Sequence, residues 1–183
     1  MSEIEALLKA YERFLQLPWD RTLAGPQKVW FAIYEPVQER RLRLHLPEFE
    51  AATRDMGHSW THLDLTDLFA QWMSHHDYRE AYFEEPEDME LDLQDFTNFV
   101  SQQIVGMLTA PDVDANTVVA ISGLASLFGF TNASVVIEAV APSIRGRLLV
   151  FFPGQRNESN YRFLDARDGW NYLAVPISGI DGN

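Results

Sequence analysis

Apolar positions along the chain switch repeatedly between a helical and an extended period, and the switching predicts an α/β fold. Ile4, Leu7, Leu8, Tyr11, Phe14 and Leu15 fall at helical spacing, so residues 3–16 read as an amphipathic helix that Leu17-Pro18 ends. Gly25-Pro26 marks a loop. Val29-Trp30-Phe31-Ala32-Ile33-Tyr34 then runs apolar until Glu35-Pro36, the pattern of a strand covered on both faces. Arg41 to Leu46 alternates basic and apolar residues and reads either as a short strand or as the approach to a helix. Pro47 suits the first turn of that helix and Gly57 its stop. Trp60 to Leu65 reads as a second strand. Thr66 then caps a helix reaching His75, with Leu68, Phe69, Trp72 and Met73 on one side.

The pattern of residues 77–86 singles out no element. Residues 88–109 predict a long helix bearing Leu91, Leu93, Phe96, Phe99, Val100, Ile104, Met107 and Leu108. Thr117 to Ile121 is a third strand, and a helix at 132–140 leads to a fourth, Arg147 to Phe152, which Pro153-Gly154 is expected to break. Tyr161–Leu164 and Tyr172–Ile177 read as further strands, joined through the Asp168-Gly169 turn signal into a C-terminal hairpin. The whole implies one α/β domain over residues 1–183. It is a three-layer, Rossmann-like arrangement with a mostly parallel central sheet, helices on both faces and a C-terminal β-hairpin.

Composition narrows the class. The 183 residues suffice for one core, and 46% hydrophobic with 13% aromatic content excludes disorder. Cysteine is absent, so no disulfide, thiolate nucleophile or cysteine-ligated metal enters. The segment Met1-Ser2-Glu3-Ile4-Glu5 is acidic, unlike a secretory leader, and no apolar run reaches membrane-spanning length. The expected setting is therefore the cytoplasm, with no membrane partner. A net charge of −13 disfavours direct nucleic-acid binding. The charge is uneven. Asp77 to Asp95 holds nine acidic residues and one basic, whereas Arg145 to Arg167 holds five arginines against Glu158 and Asp165. Such asymmetry fits two docking faces, and it also fits a solvated acidic helix with scattered surface arginines.

No standard chemistry emerges. A Walker loop needs a lysine after a strand, and neither Lys9 nor Lys28 follows one; Ser122 to Gly129 reads as a tight turn packed by Leu124, Leu127 and Phe128. His58, His62 and Asp64 share strand parity, but i and i+4 on a strand lie ~13 Å apart, too far for one metal ion. There is no G-x-S-x-G elbow, and nothing in the spacing pairs a serine with a histidine. No cofactor is expected. The C-terminal cluster is the most informative stretch. Arg145, Arg147, Arg167 and Trp170 combine guanidinium and aromatic groups, the chemistry of a protein-binding surface. The same residues equally suit an internal arginine–aspartate network bracing the terminal hairpin.

This region resembles the BrxB family, a subunit of BREX phage-exclusion systems. The residues that carry the resemblance are Phe151-Phe152-Pro153-Gly154, then Asn160-Tyr161-Arg162-Phe163-Leu164-Asp165, then Asn171-Tyr172-Leu173-Ala174-Val175-Pro176-Ile177. The strand Trp30–Tyr34 with Glu35-Pro36, and Leu63-Asp64-Leu65, look like the family's first two strand ends. The resemblance implies a small accessory protein without known catalytic residues that works with other defence-system proteins, a PglZ-type protein foremost. Homo-oligomerisation is compatible with it. The alternative function is a degenerate nucleotide-fold protein that retains ligand binding or weak hydrolysis.

Overall fold

Ser2 starts the first helix with a capping box: its hydroxyl accepts from the Glu5 N–H, and the Glu5 carboxylate accepts from the Ser2 N–H. That helix, α1 (Glu3–Leu15), buries Ile4, Leu7, Tyr11 and Leu15 along one stripe. The computed structural model describes residues 1–77, 79–164 and 169–179. After α1 come β1 (Val29–Tyr34), α2 (Glu39–Asp55), β2 (Ser59–Asp64), α3 (Leu68–Ser74) and α4 (Arg79–Glu84). They are followed by α5 (Leu93–Leu108), β3 (Thr117–Ser122), α6 (Ala133–Val140) and β4 (Arg147–Asn157). The chain ends on β5 (Asn160–Phe163), β6 (Trp170–Asn171) and β7 (Val175–Ser178).

The central sheet runs β2-β3-β4-β1-β7 with every neighbouring pair parallel, so the α/β, mostly parallel arrangement read from the sequence is the observed one. β1, β3 and β4 are covered on both faces, which is why they are continuous apolar runs. On one face α1 and α2 pack Tyr11, Leu42 and Phe49 onto Trp30, Leu149 and Phe151. A buried hydrogen bond from Tyr11 to Thr53, 2.6 Å, ties these two helices together, because the Thr53 hydroxyl itself donates to the Phe49 carbonyl. On the other face α5 and α6 pack Phe96, Ile104 and Val136 onto Phe31, Ile121 and Val150. The outer strands differ: β2 is only partly covered, and β7 is short and carries Pro176, which has no N–H to offer a further strand. Among the described residues no helix is long and apolar enough to cross a membrane.

Three elements depart from the pattern reading, and Thr66 does not cap α3, whose N-cap is Asp67 while Thr66 donates to Asp64. The 41–46 segment is neither a strand nor a lead-in but the first half of α2, and Pro47 lies inside the helix instead of starting it. Leu42, Phe49 and Thr53 form the buried stripe, while Leu44 faces water. Six residues were too few to separate period 2 from period 3.6. The expected helix over 88–109 begins as a 3-10 turn, Pro86–Asp92, and becomes α5 only at Leu93.

The third departure is the largest. β4 does not stop at Pro153-Gly154. Its first part pairs in parallel with β1 and β3, and from Gly154 onward the same strand pairs antiparallel with β5. The hairpin is therefore β4–β5, turning at Glu158-Ser159 with Glu158 at φ 53°, and β6 adds to β5. Tyr172–Ile177 does not pair with Tyr161–Leu164. Its latter part becomes β7 beside β1, where Ile177 is fully buried, a burial that a two-stranded ribbon could not supply. Asp168, half of the expected turn, lies outside the described residues.

Gly154 makes the change of partner possible. A Cβ there would run into the Arg162 carbonyl oxygen across the ladder and sit 2.9 Å from the Phe152 ring. Gly154→Ala is expected to cost about 2–4 kcal/mol, read as a lowered midpoint in urea unfolding followed by circular dichroism.

Candidate functional site

In open parallel sheets, ligands bind beyond the carboxyl ends of the strands. Here those ends carry a network of paired charges. Tyr34, the last residue of β1, donates its hydroxyl to the Glu39 carboxylate at the start of α2. One turn on, Arg43 donates Nε to Glu39 Oε1 at 3.0 Å, Nη1 to Asp64 Oδ2 at 2.9 Å and Nη2 to Thr66 Oγ1 at 2.7 Å. The Thr66 hydroxyl and N–H both donate to Asp64 Oδ1. Gly123 closes the cluster from the end of β3 in a left-handed conformation (φ 76°), where a Cβ would stand 2.5 Å from Asp64 Oδ1. Burial opposes the charge on Asp64, but the hydrogen bonds from Arg43 and Thr66 outweigh it and hold the carboxyl below its usual range. Burial pushes the Tyr34 phenol up, and its bond to Glu39 pushes it further.

Sequence reasoning missed this network. Its signals were present as strand-end positions, Tyr34-Glu35 and Leu63-Asp64, but Arg43 was hidden by the misread alternation. A cleft of ≈ 630 Å³ opens nearby, above the ends of β1, β4 and β7, with Arg13, Phe14, Tyr34, Arg156 and Pro176 among its walls.

The structure also pairs a serine with a histidine, which spacing did not reveal. His62 Nε2 lies 2.7 Å from Ser122 Oγ. Burial holds the imidazole below its usual pKa and so favours the neutral ring, whose tautomer sets which partner donates. Ser122 is fully buried and Asp64 faces Arg43, so neither an exposed nucleophile nor an orienting carboxylate completes a triad. His58 stands apart, stacked on Trp19 with centroids 3.8 Å apart and Nδ1 2.6 Å from Asn116 Oδ1.

Of the expected partner-binding residues, Arg145, Arg147 and Trp170 lie in three different settings. Arg145 is exposed but donates to the Ala110 and Val113 carbonyls at 3.2 and 2.9 Å, bracing the turn after α5. Arg147 is only 4% exposed. Its guanidinium donates to the Gly146 and Asp20 carbonyls and lies 5.1 Å from the Trp19 ring centroid and 5.9 Å from that of Trp30. Arg147 is thus a buried brace on the α1–α2 side of the sheet, a correction to its reading as a surface group. Strand parity decides this: in β4, Arg147, Leu149 and Phe151 face one way and Leu148, Val150 and Phe152 the other. Arg167 lies outside the described residues.

Trp170 sits on the opposite face from Arg147. It stacks on Tyr172 at 4.4 Å, packs against Phe31 and donates Nε1 to Glu138 at 2.9 Å. Burial and the nearby Glu138 push the Tyr172 phenol up to about 12. Beside it lies a small groove of ≈ 170 Å³ walled by Phe128, Phe152, Tyr161, Phe163 and Trp170. In the turn before α6, Leu124 and Leu127 are buried as expected, but Phe128 is 50% exposed at the mouth of this groove. No protein-family model, curated protein or solved structure matches the chain.

Two stability tests follow from this geometry. Arg147→Met strands two carbonyls and is expected to cost about 2 kcal/mol in denaturant unfolding. Arg43→Ala exposes half-solvated groups, so its cost is about 1 kcal/mol or less at neutral pH. Because Asp64 is depressed in the folded state, that stabilisation is full above the ordinary aspartate value of about 4 and is lost as pH falls through the lowered one. The gap between wild type and Arg43→Ala should therefore narrow on acidification in urea titrations run across pH.

Proposed function

We propose that this chain is a non-catalytic accessory subunit of a bacterial, BREX-like phage-defence assembly. It acts in the cytoplasm by holding a partner protein, with a PglZ-type protein the first candidate. The observation that carries the reading is the aromatic groove beside the C-terminal strands. Phe128 stands half in water there, with Phe163 and Trp170 opposite. An aromatic pocket able to take one apolar side chain is the anatomy of an interface anchor point. The polar groups agree with a holding role, since Arg43, Asp64, Glu39 and Arg147 are all bound within the chain. The residues that resemble the BrxB family, Phe151 to Gly154 and Asn160 to Phe163, make the strands that wall this groove.

A second reading, a nucleotide-like fold retaining ligand binding, draws on the ≈ 630 Å³ cleft with Arg13 and Arg156 in its walls. Calorimetry with magnesium-ATP separates the two: micromolar binding favours the second, and no heat favours the first.

Co-expression with the PglZ-type protein from the same gene neighbourhood, followed by pull-down, tests the first reading. Phe128→Ser is expected to weaken capture with little change in melting temperature, because the side chain is half-exposed. Trp170→Ala is expected to cost roughly 2 kcal/mol or more of binding. Lost stability with unchanged capture by the folded fraction would assign Trp170 to bracing alone.

A further inference from the structure

The outer face of α2 is unusual for an acidic protein. Val37, in the 3-10 turn Pro36–Gln38 that leads into α2, and Arg40, Arg41 and Leu44 of α2 recur at i, i+3, i+4 and i+7, away from the buried Leu42–Phe49–Thr53 stripe. Val37 is 82% exposed and Leu44 74%. Arg40 and Arg41 are exposed and, among the described residues, make no ion pair. Two large aliphatic side chains and two unpaired guanidinium groups thus form one ridge in a chain of net charge −13. On the next turn Glu48 is already bound to His45 at 3.0 Å, so the ridge has a defined end.

The complement of this ridge is present in the same chain. On α4, Glu80, Phe83 and Glu84 fall at i, i+3 and i+4 and are all exposed, Phe83 at 75%. Glu85 and Glu87 extend the negative side. One element offers apolar groups flanked by guanidinium, the other an aromatic ring flanked by carboxylates. Within one molecule the two pack on different elements. α2 belongs to the layer on the Trp30–Phe151 face, whereas α4 packs on the 3-10 turn that leads into α5, in the opposite layer.

We propose that the α2 ridge is a self-association surface whose occupant is the α4 segment of a second copy of this chain. The pairing is head-to-tail: each copy uses a different patch on each side, so the contact forms rings or open stacks according to whether the rotation closes. Guanidinium–carboxylate pairs set the orientation, and Val37, Leu44 and Phe83 supply the apolar area. The proposal does not depend on the partner-holding role and survives if that role fails.

Sedimentation velocity over a range of concentrations, at low and at high salt, tests it with the full chain. The wild type should show concentration-dependent association that weakens as salt rises. Arg40→Glu with Arg41→Glu should weaken association by about tenfold or more, and so should Glu80→Arg with Glu84→Arg. All four positions are exposed, so circular dichroism and melting temperature should stay near wild type. Mixing the two double variants should restore association, since the reversed ridge of one then meets the reversed segment of the other. Leu44→Ser or Phe83→Ser should weaken it without changing its salt dependence. A wild type that stays monomeric at every concentration would overturn the proposal, as would association that ignores the charge reversals or a mixture that fails to recover.

Discussion

One strand holds this protein together by belonging to two pairings in succession. β4 is the middle strand of the parallel sheet up to Pro153 and one arm of an antiparallel hairpin from Gly154 onward. Everything C-terminal depends on that continuation. Among the described residues β5 has no other full-length neighbour and β6 pairs only with β5, and the Tyr161 hydroxyl donates to the Ala174 carbonyl at 2.6 Å, which sets where the chain leaves for β7. The constraint is steric as much as hydrogen-bonded. The backbone of β5 crosses β4 so closely that only glycine fits at the crossing.

The charged groups divide into those consumed by the fold and those left outside it. Arg147 sits among tryptophans and carbonyls and, among the described residues, forms no salt bridge. Burial lowers its pKa while Asp20 acts the other way. A guanidinium tolerates this because its weak hydration and flat faces suit aromatic contact. Arg43 joins the ends of β1 and β2 by spanning Glu39 and Asp64. With these side chains committed, the exposed apolar and charged features that the fold leaves outside are the aromatic groove at Phe128, the α2 ridge and the acidic α4. The uneven charge along the chain acquires a spatial meaning here. The acidic stretch contributes α4. Of the C-terminal arginines, Arg147 turns inward while Arg145, Arg156 and Arg162 stay exposed, and Arg40 and Arg41 add a second exposed basic site on α2.

Much of the layered sheet was legible from one dimension of information. A buried parallel strand must be apolar at every position, so β1, β3 and β4 announced themselves, and the helical spacings between them implied both covering layers. Segments with short or mixed patterns were not legible. The alternation of Arg41 to Leu46 fits a strand as well as a helix until Leu42 and Phe49 are seen to share a buried stripe. Pro153-Gly154 reads as a stop in isolation, because local signals cannot reveal that another strand will pass close enough to require that glycine.

The sequence by itself determined which residues seek burial and at what period, and hence the α/β class, the strand positions and the covering helices. Only the tertiary structure decided which way each polar side chain points and what it meets. Arg145 and Arg147 differ by two positions and look alike in sequence. Yet one braces a surface turn and the other is enclosed by Trp19 and Trp30, on the far side of the sheet from Trp170. The reason is physical. Burial preference is a property of a side chain and its near neighbours, whereas a hydrogen bond or an aromatic contact depends on the relative placement of residues more than a hundred positions apart, as Asp20 and Arg147 are.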